Sequence, residues 1–169
     1  MSFKITWKTN VICFGISIII TLILWSIVNG IIQNFILQDF MEYPTSLIVA
    51  NFYIAIILLL IPIIAVHEAV HGITYIMFGG KVKYGFKGIY VYTQEVSELP
   101  IERTKFLIIL LAPLTIMSIL TLLLPNWLGG IIFLLNLLGA SGDLFMSFKL
   151  IGYDWNSKII DRKYGFDVV

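Results

Sequence analysis

Two histidines and a glutamate share one short apolar stretch, IPIIAVHEAVHGITYIMFGG, residues 61–80. His67 and His71 are the only histidines of the chain, and Glu68 directly follows the first of them. On a helix, residues four apart project from the same face, so both imidazoles can meet on one metal ion. Glu68 is rotated by about 100° around the helix from His67. This is the H-E-x-x-H spacing of zinc peptidases, in which the glutamate is the general base on water.

A buried Glu–His hydrogen-bond pair between packed helices is the structural alternative. Titratable side chains inside an apolar span are costly, however, and they usually face a partner or a cavity. The sequence therefore predicts a zinc site on His67 and His71, with Glu68 as the catalytic base.

A catalytic zinc normally takes three protein ligands and a water, and no third histidine is left to serve. Asp143 is the only charged residue between Phe106 and Phe148. An aspartate in an apolar span needs a partner, so we expect Asp143 to be the third ligand of one Zn²⁺ per chain. Glu95 or Glu98, in a polar loop, is the alternative third ligand.

Asn136 precedes Asp143 by seven residues, which is two helical turns, so both project from nearly the same face. Its amide could contact the backbone of a substrate or polarise a scissile carbonyl. It could equally form a hydrogen bond between two helices. The spacing alone leaves both roles open.

The composition is that of an integral membrane protein. Of the 169 residues, 59% are hydrophobic and only 12% are charged, and a helix of about 20 apolar residues crosses a bilayer core. A net charge of +1 without a basic cluster predicts no nucleic-acid partner. The single cysteine, Cys13, excludes an intrachain disulfide and a thiolate metal cluster.

We expect one all-α membrane domain over residues 1–169, with four transmembrane helices, a cytoplasmic loop at 79–105 and a cytoplasmic tail at 149–169. The predicted spans cover about 11–32, 46–78, 106–124 and 128–148. Lysine and arginine occur in the amino-terminal flank, the loop 79–105 and the tail, but not in the loop 33–45. Because positive charges favour the cytoplasmic side, both termini are predicted to be cytoplasmic.

Two segments depart from a simple helical span. The second span is too long for a ~30 Å bilayer core, so we expect it either to tilt and project into the cytoplasm or to kink at Pro62. The loop segment KVKYGFKGIYVYT, residues 81–93, alternates strand formers with glycines, which favours a short β-hairpin at the membrane face.

The motif HEAVHG, the APL stretch at Ala112–Leu114 and the segment NLLGASGD together resemble a bacterial family of small integral-membrane proteins. Its members are predicted zincin peptidases, long catalogued as a domain of unknown function. The chain is more distantly similar to the site-2 proteases, which are intramembrane zinc proteases. The resemblance implies that His67, His71 and Asp143 bind zinc, that Glu68 is the general base and that Asn136 contacts substrate.

If site-2 chemistry applies, the substrate peptide must be extended, because a helix hides its peptide bonds. An edge of the strand-like segment, around Tyr90 and Val91, could then pair with it by β-augmentation. The expected partners are a membrane protein or peptide substrate and the lipid bilayer.

Three function classes compete. The leading prediction is a membrane-embedded zinc metallopeptidase in the bacterial cell membrane. A non-catalytic zinc-binding scaffold or regulator of membrane proteins is the first alternative, and a zinc carrier is the second. The general base at Glu68 and the single set of ligands argue against a carrier.

Overall fold

The computed structural model describes residues 2–38, 47–87 and 90–169. Six helices carry most of this part of the chain, with short strands between and after them. The helices are α1 (Trp7–Ile23), α2 (Trp25–Ile36), α3 (Ile48–Met77), α4 (Arg103–Thr121), α5 (Asn126–Gly139) and α6 (Ser141–Ile151). The strands are β1 (Ser2–Lys4), β2 (Val82–Lys87), β3 (Tyr90–Glu95), β4 (Ile101–Glu102), β5 (Lys158–Arg162) and β6 (Gly165–Val168).

Two helices of the described residues, α3 and α4, are each long and apolar enough to cross a membrane. Up to four crossings result if the bent pairs α1–α2 and α5–α6 each count as one span. Only 6% of the most hydrophobic window of α3 is buried, and a largely exposed apolar helix is suited to lipid.

The first predicted span is two helices that meet at an angle of 85° next to Leu24. The bend lets α2 direct Val28 and Phe35 onto α5, where both are buried against Ile131 and Leu134. Tertiary packing, rather than a proline or glycine, accounts for this break. Most of the predicted loop 33–45 lies outside the described residues.

Helix α3 is continuous over 30 residues and passes through Pro62. At 1.5 Å per residue it is about 45 Å long, well beyond the thickness of a ~30 Å bilayer core. The helix is therefore not interrupted at Pro62, and both the tilt with projection into the cytoplasm and the kink at Pro62 stay predictions.

The fourth predicted span is broken as well, with a bend of 50° between α5 and α6. The break lies at Ala140, among the small residues Gly139, Ser141 and Gly142, where glycine weakens helix continuity. As a result Asp143 lies in the first turn of α6, where a helix N-terminus favours negative charge.

The predicted hairpin is confirmed: β2 and β3 form an antiparallel pair, with Tyr84 opposite Thr93. Its turn residues 88–89 lie outside the described residues. The prediction of an all-α fold is incomplete, because a second sheet has the strand order β1-β6-β5-β4. The segment predicted to be a plain tail supplies two of these strands, and the extreme amino terminus supplies β1.

The four-stranded sheet brings both termini and the end of the loop 79–105 to one side of the helices. Its central residues Ile159 and Phe166 are fully buried together with Phe106 and Leu150. Gly165 has a φ of +137°, and a Cβ there would overlap the carbonyl group of Phe3. Glycine is therefore required where β1 meets β6.

This sheet is linked to α3 through the half-buried carboxylate of Asp161. The Tyr75 hydroxyl donates a hydrogen bond of 2.9 Å to Asp161 Oδ2 on β5. The pKa of Asp161 is raised from 3.8 to about 6, mainly because burial disfavours the charged form; the bond from Tyr75 lowers this pKa and the negative charge of Glu95 raises it. Ionised Asp161 therefore disfavours the folded state.

We expect Asp161→Asn to stabilise the protein at pH 7.5 by roughly 1–3 kcal/mol, because the amide oxygen still accepts the Tyr75 bond without a charge. The advantage over wild type should shrink as the pH falls through 6, since wild-type Asp161 then takes up a proton in the folded state. Thermal unfolding in detergent between pH 5 and 8 measures this. Asp154→Asn, in an exposed turn, is the control, and a stability difference that does not change with pH would contradict the prediction.

Candidate metal centre

Three donor atoms converge between α3 and α6. His67 Nε2 lies 3.0 Å from Asp143 Oδ2, and His71 Nε2 lies 3.5 Å from the same oxygen. The two imidazole rings are 4.9 Å apart between centroids. One ligand atom from each of the three residues lies within 4.8 Å of the others, so the structure brings together the three predicted zinc ligands.

The second ring nitrogen of His71 is held by the main chain of α4. Its Nδ1 lies 2.9 Å from the carbonyl oxygen of Ile109. This carbonyl lacks its usual helical donor because the residue four positions later, Pro113, has no N–H group. A carbonyl can only accept, so Nδ1 carries a proton, and in the neutral ring Nε2 then presents its lone pair to the site.

The second ring nitrogen of His67 is held by Asn136 in the same manner. Its Nδ1 lies 2.9 Å from Asn136 Oδ1, while Asn136 Nδ2 donates to the carbonyl oxygen of Pro113 at 3.4 Å. Because a carbonyl can only accept, the amide nitrogen faces Pro113 and the amide oxygen faces His67. Nε2 of His67 is consequently also a lone-pair donor directed at Asp143.

This donor set fits zinc. Two imidazole nitrogens and a carboxylate oxygen would repel one another at these distances unless a cation or a proton lies among them. Zinc binds such nitrogens and oxygens, and its histidine ligands commonly donate their other N–H to a carbonyl or carboxylate. His67, His71 and Asp143 would hold the ion, with Ile109 and Asn136 fixing the two rings.

A cleft of about 290 Å³ opens onto these donor atoms. Its polar lining residues are the three candidate ligands, Glu68 and Asn136, and the other lining residues are apolar, with Leu60, Ile64, Leu135 and Gly139 among them. The predicted general base therefore shares one cavity with the predicted ligands.

Glu68 has a partner on the hairpin that the sequence did not indicate. Its carboxylate oxygen Oε2 accepts a hydrogen bond of 2.7 Å from the backbone N–H of Thr93. Its own carbonyl accepts a second bond, 2.6 Å long, from the Thr93 hydroxyl. A threonine in a strand carries no sequence signal for this role, because the contact depends on how the hairpin packs on α3.

The alternative third ligands are engaged elsewhere. Glu95 is 3% exposed, and its carboxylate accepts backbone N–H bonds from Lys81, Ser97 and Glu98 at the base of the hairpin. Glu98 forms an ion pair of 2.8 Å with Arg162. Neither glutamate contributes to the cluster of donor atoms around His67.

The remaining predicted site residues are Asn136, Tyr90 and Val91. Asn136 is 1% exposed and bonds to His67, which is the helix-to-helix role that its spacing left open; contact with substrate stays a prediction. Tyr90 and Val91 lie in β3, but their side chains are outside the described part of the structure.

The comparisons with known proteins agree with this geometry. A family model described as "Putative zincin peptidase" matches residues 59–157, which is more than half of the chain. The chain belongs to this family. The matched segment contains all three donor residues, Glu68 and the hairpin, and it confirms the predicted resemblance to zincin peptidases; the more distant similarity to site-2 proteases stays a prediction. Searches of curated proteins and of solved structures gave no match.

Asn136→Ala tests how the His67 ring is held. We expect zinc affinity to fall by about 10–100-fold, the usual cost of removing the outer partner of a histidine ligand. Competition with a chromogenic chelator measures it, and Asn126→Ala, an exposed position on the same helix, is the control. Unchanged zinc affinity together with lost cleavage would instead favour the substrate contact that the resemblance implies.

Proposed function

We propose that this protein is a membrane-embedded zinc metallopeptidase that hydrolyses peptide bonds of membrane-associated protein substrates near the cytoplasmic face. One observation carries the proposal: the donor atoms of His67, His71 and Asp143 converge in the cleft that Glu68 also lines. Membership of a zincin family supports zinc peptidase chemistry in general.

Zinc bound here would act as a Lewis acid towards water and towards the scissile carbonyl. The Glu68 carboxylate takes a proton from the attacking water as its oxygen bonds to the carbonyl carbon. Glu68 then gives that proton to the amine nitrogen as the C–N bond breaks. The products are one carboxyl and one amino terminus, and Glu68 returns to its starting state.

The membrane assignment draws on the apolar helices and on the charges that flank them. Both termini and the end of the loop 79–105 meet in the four-stranded sheet, so they lie on one side of the helices. That side also carries most of the lysines and arginines, which favours the cytoplasm. The active site would then open close to the cytoplasmic face.

The substrate would be an extended, apolar segment. Apolar side chains line most of the cleft, and Gly139 and Gly142 leave open space where a side chain would otherwise stand. The edge of β3 at Val91 could hold such a segment as an added strand. The hairpin is suited to this role because β3 packs directly beside the helix that carries Glu68.

The test is cleavage by the purified, detergent-solubilised protein. An internally quenched fluorescent peptide with apolar residues on both sides of the scissile bond serves as the probe. We expect cleavage that stops when a chelator removes the metal and returns when zinc is added back. A protein that holds about one zinc per chain but cleaves nothing would support the scaffold instead.

A further inference from the structure

Along a strand of an antiparallel pair, the backbone N–H groups point alternately towards the partner strand and away from it. This alternation decides which residues of β3 can donate an N–H to α3. Val96 donates its N–H to Lys81 across the base of the hairpin, so even-numbered residues of this strand face β2. Thr93 is odd-numbered and directs its N–H away from β2, onto Glu68.

Two residues that pair across the hairpin, Thr93 and Tyr84, contact the two ends of one turn of α3. Thr93 bonds to Glu68 at one end of that turn. Its ladder partner Tyr84 lies against Gly72 at the other end, where a Cβ would overlap the phenol ring. The turn between them contains His71, so the hairpin is packed onto the segment that carries the base and a metal ligand.

We propose that Thr93 is the positioning residue of the general base. This inference rests on the proposed peptidase function. A glutamate side chain has three rotatable bonds, and a backbone N–H fixed in a hairpin restricts them by holding Oε2. A carboxylate has two oxygens, so Oε1 keeps the capacity to accept a proton from water. The Thr93 hydroxyl supports this arrangement by bonding to the Glu68 carbonyl.

Three substitutions of Thr93 separate its two bonds. Thr93→Val removes the hydroxyl but keeps the shape and the N–H, and Thr93→Ser keeps both donors. Thr93→Pro removes the N–H as well; because this N–H faces away from β2, no ladder bond is lost. Thr115→Val, an exposed threonine on α4 whose hydroxyl bonds within its own helix, is the matched control.

With the quenched apolar peptide as probe, we expect kcat to fall several-fold in Thr93→Val and by about 100-fold in Thr93→Pro, the scale of a misplaced catalytic group. KM should stay within about twofold, and zinc content should remain that of wild type, because the hydrogen bonds of Thr93 reach Glu68 and not the ligands. Thr93→Ser and Thr115→Val should keep wild-type rates. Wild-type kcat in Thr93→Pro, or loss of its zinc, would overturn the proposal.

Amide hydrogen exchange provides a second measurement that needs no substrate. Exchange at Thr93 should accelerate about 10-fold in Glu68→Ala, the value of one lost hydrogen bond, whereas exchange at Gln94, which faces β2, should not change. If the Thr93 amide exchanges at the same rate in wild type and in Glu68→Ala, the hydrogen bond from Thr93 to Glu68 is absent and the proposal is wrong. Zinc-loaded wild type that fails to cleave would instead overturn the peptidase function, and the positioning role with it.

Discussion

Glu68→Gln is expected to slow peptide cleavage by about three orders of magnitude while the protein keeps its zinc. Glutamine has the same shape and can still accept the bond from the Thr93 N–H through its amide oxygen. It cannot take a proton from water or return one to the leaving amine. General acid–base catalysis contributes about 10²–10⁴-fold, so we expect a rate loss of about 1,000-fold.

The measurement compares initial rates and zinc content in parallel preparations. Glu98→Gln is the matched control, because it makes the same chemical change in the adjoining loop, on a side chain that pairs with Arg162. We expect this control to cleave at the wild-type rate. A Glu68→Gln protein with full zinc and wild-type turnover would refute the assignment of Glu68 as general base.

Asp143→Ala is expected to lower zinc affinity by more than 100-fold. Removing an outer partner of a ligand costs about 10–100-fold, and Asp143 would itself be a ligand and supplies the only negative charge among the three donor residues. Its loss leaves two neutral imidazoles, which bind zinc more weakly. Cleavage should fall in proportion to the zinc that is lost.

Zinc content after dialysis, together with chelator competition, measures this effect. Asp143→Asn retains an oxygen donor in the same position and should bind zinc with intermediate affinity, which separates loss of the ligand from loss of the fold. Asp154→Ala, in an exposed turn, is the control. Full zinc binding by Asp143→Ala would mean that the third ligand lies elsewhere in the chain.

Much of the candidate site could be predicted because it depends on local spacing. The helical repeat places His67 and His71 on one face whatever the rest of the chain does. The apolar surroundings of Asp143 indicate that it needs a partner, and few partners exist. The alternation of strand formers and glycines between residues 81 and 93 likewise predicted the hairpin.

The bends and the second sheet could not be predicted in the same way. A hydropathy window averages how apolar its residues are and carries no information on where the helix axis bends. The 85° bend at Leu24 and the 50° bend at Ala140 were therefore not predicted. Strands β1, β4 and β6 are two to four residues long. Such short strands have little propensity of their own and form because distant segments pair.

The sequence by itself determined the chemical groups of the candidate site: two imidazoles and two carboxylates in an apolar chain. Only the tertiary structure decided how these groups are held. The proton positions on both histidines depend on Asn136 and on the carbonyl that Pro113 leaves free, and the Glu68 carboxylate accepts a hydrogen bond from the N–H of Thr93. These contacts join residues 25 to 69 positions apart, and no local periodicity encodes a pairing over such distances.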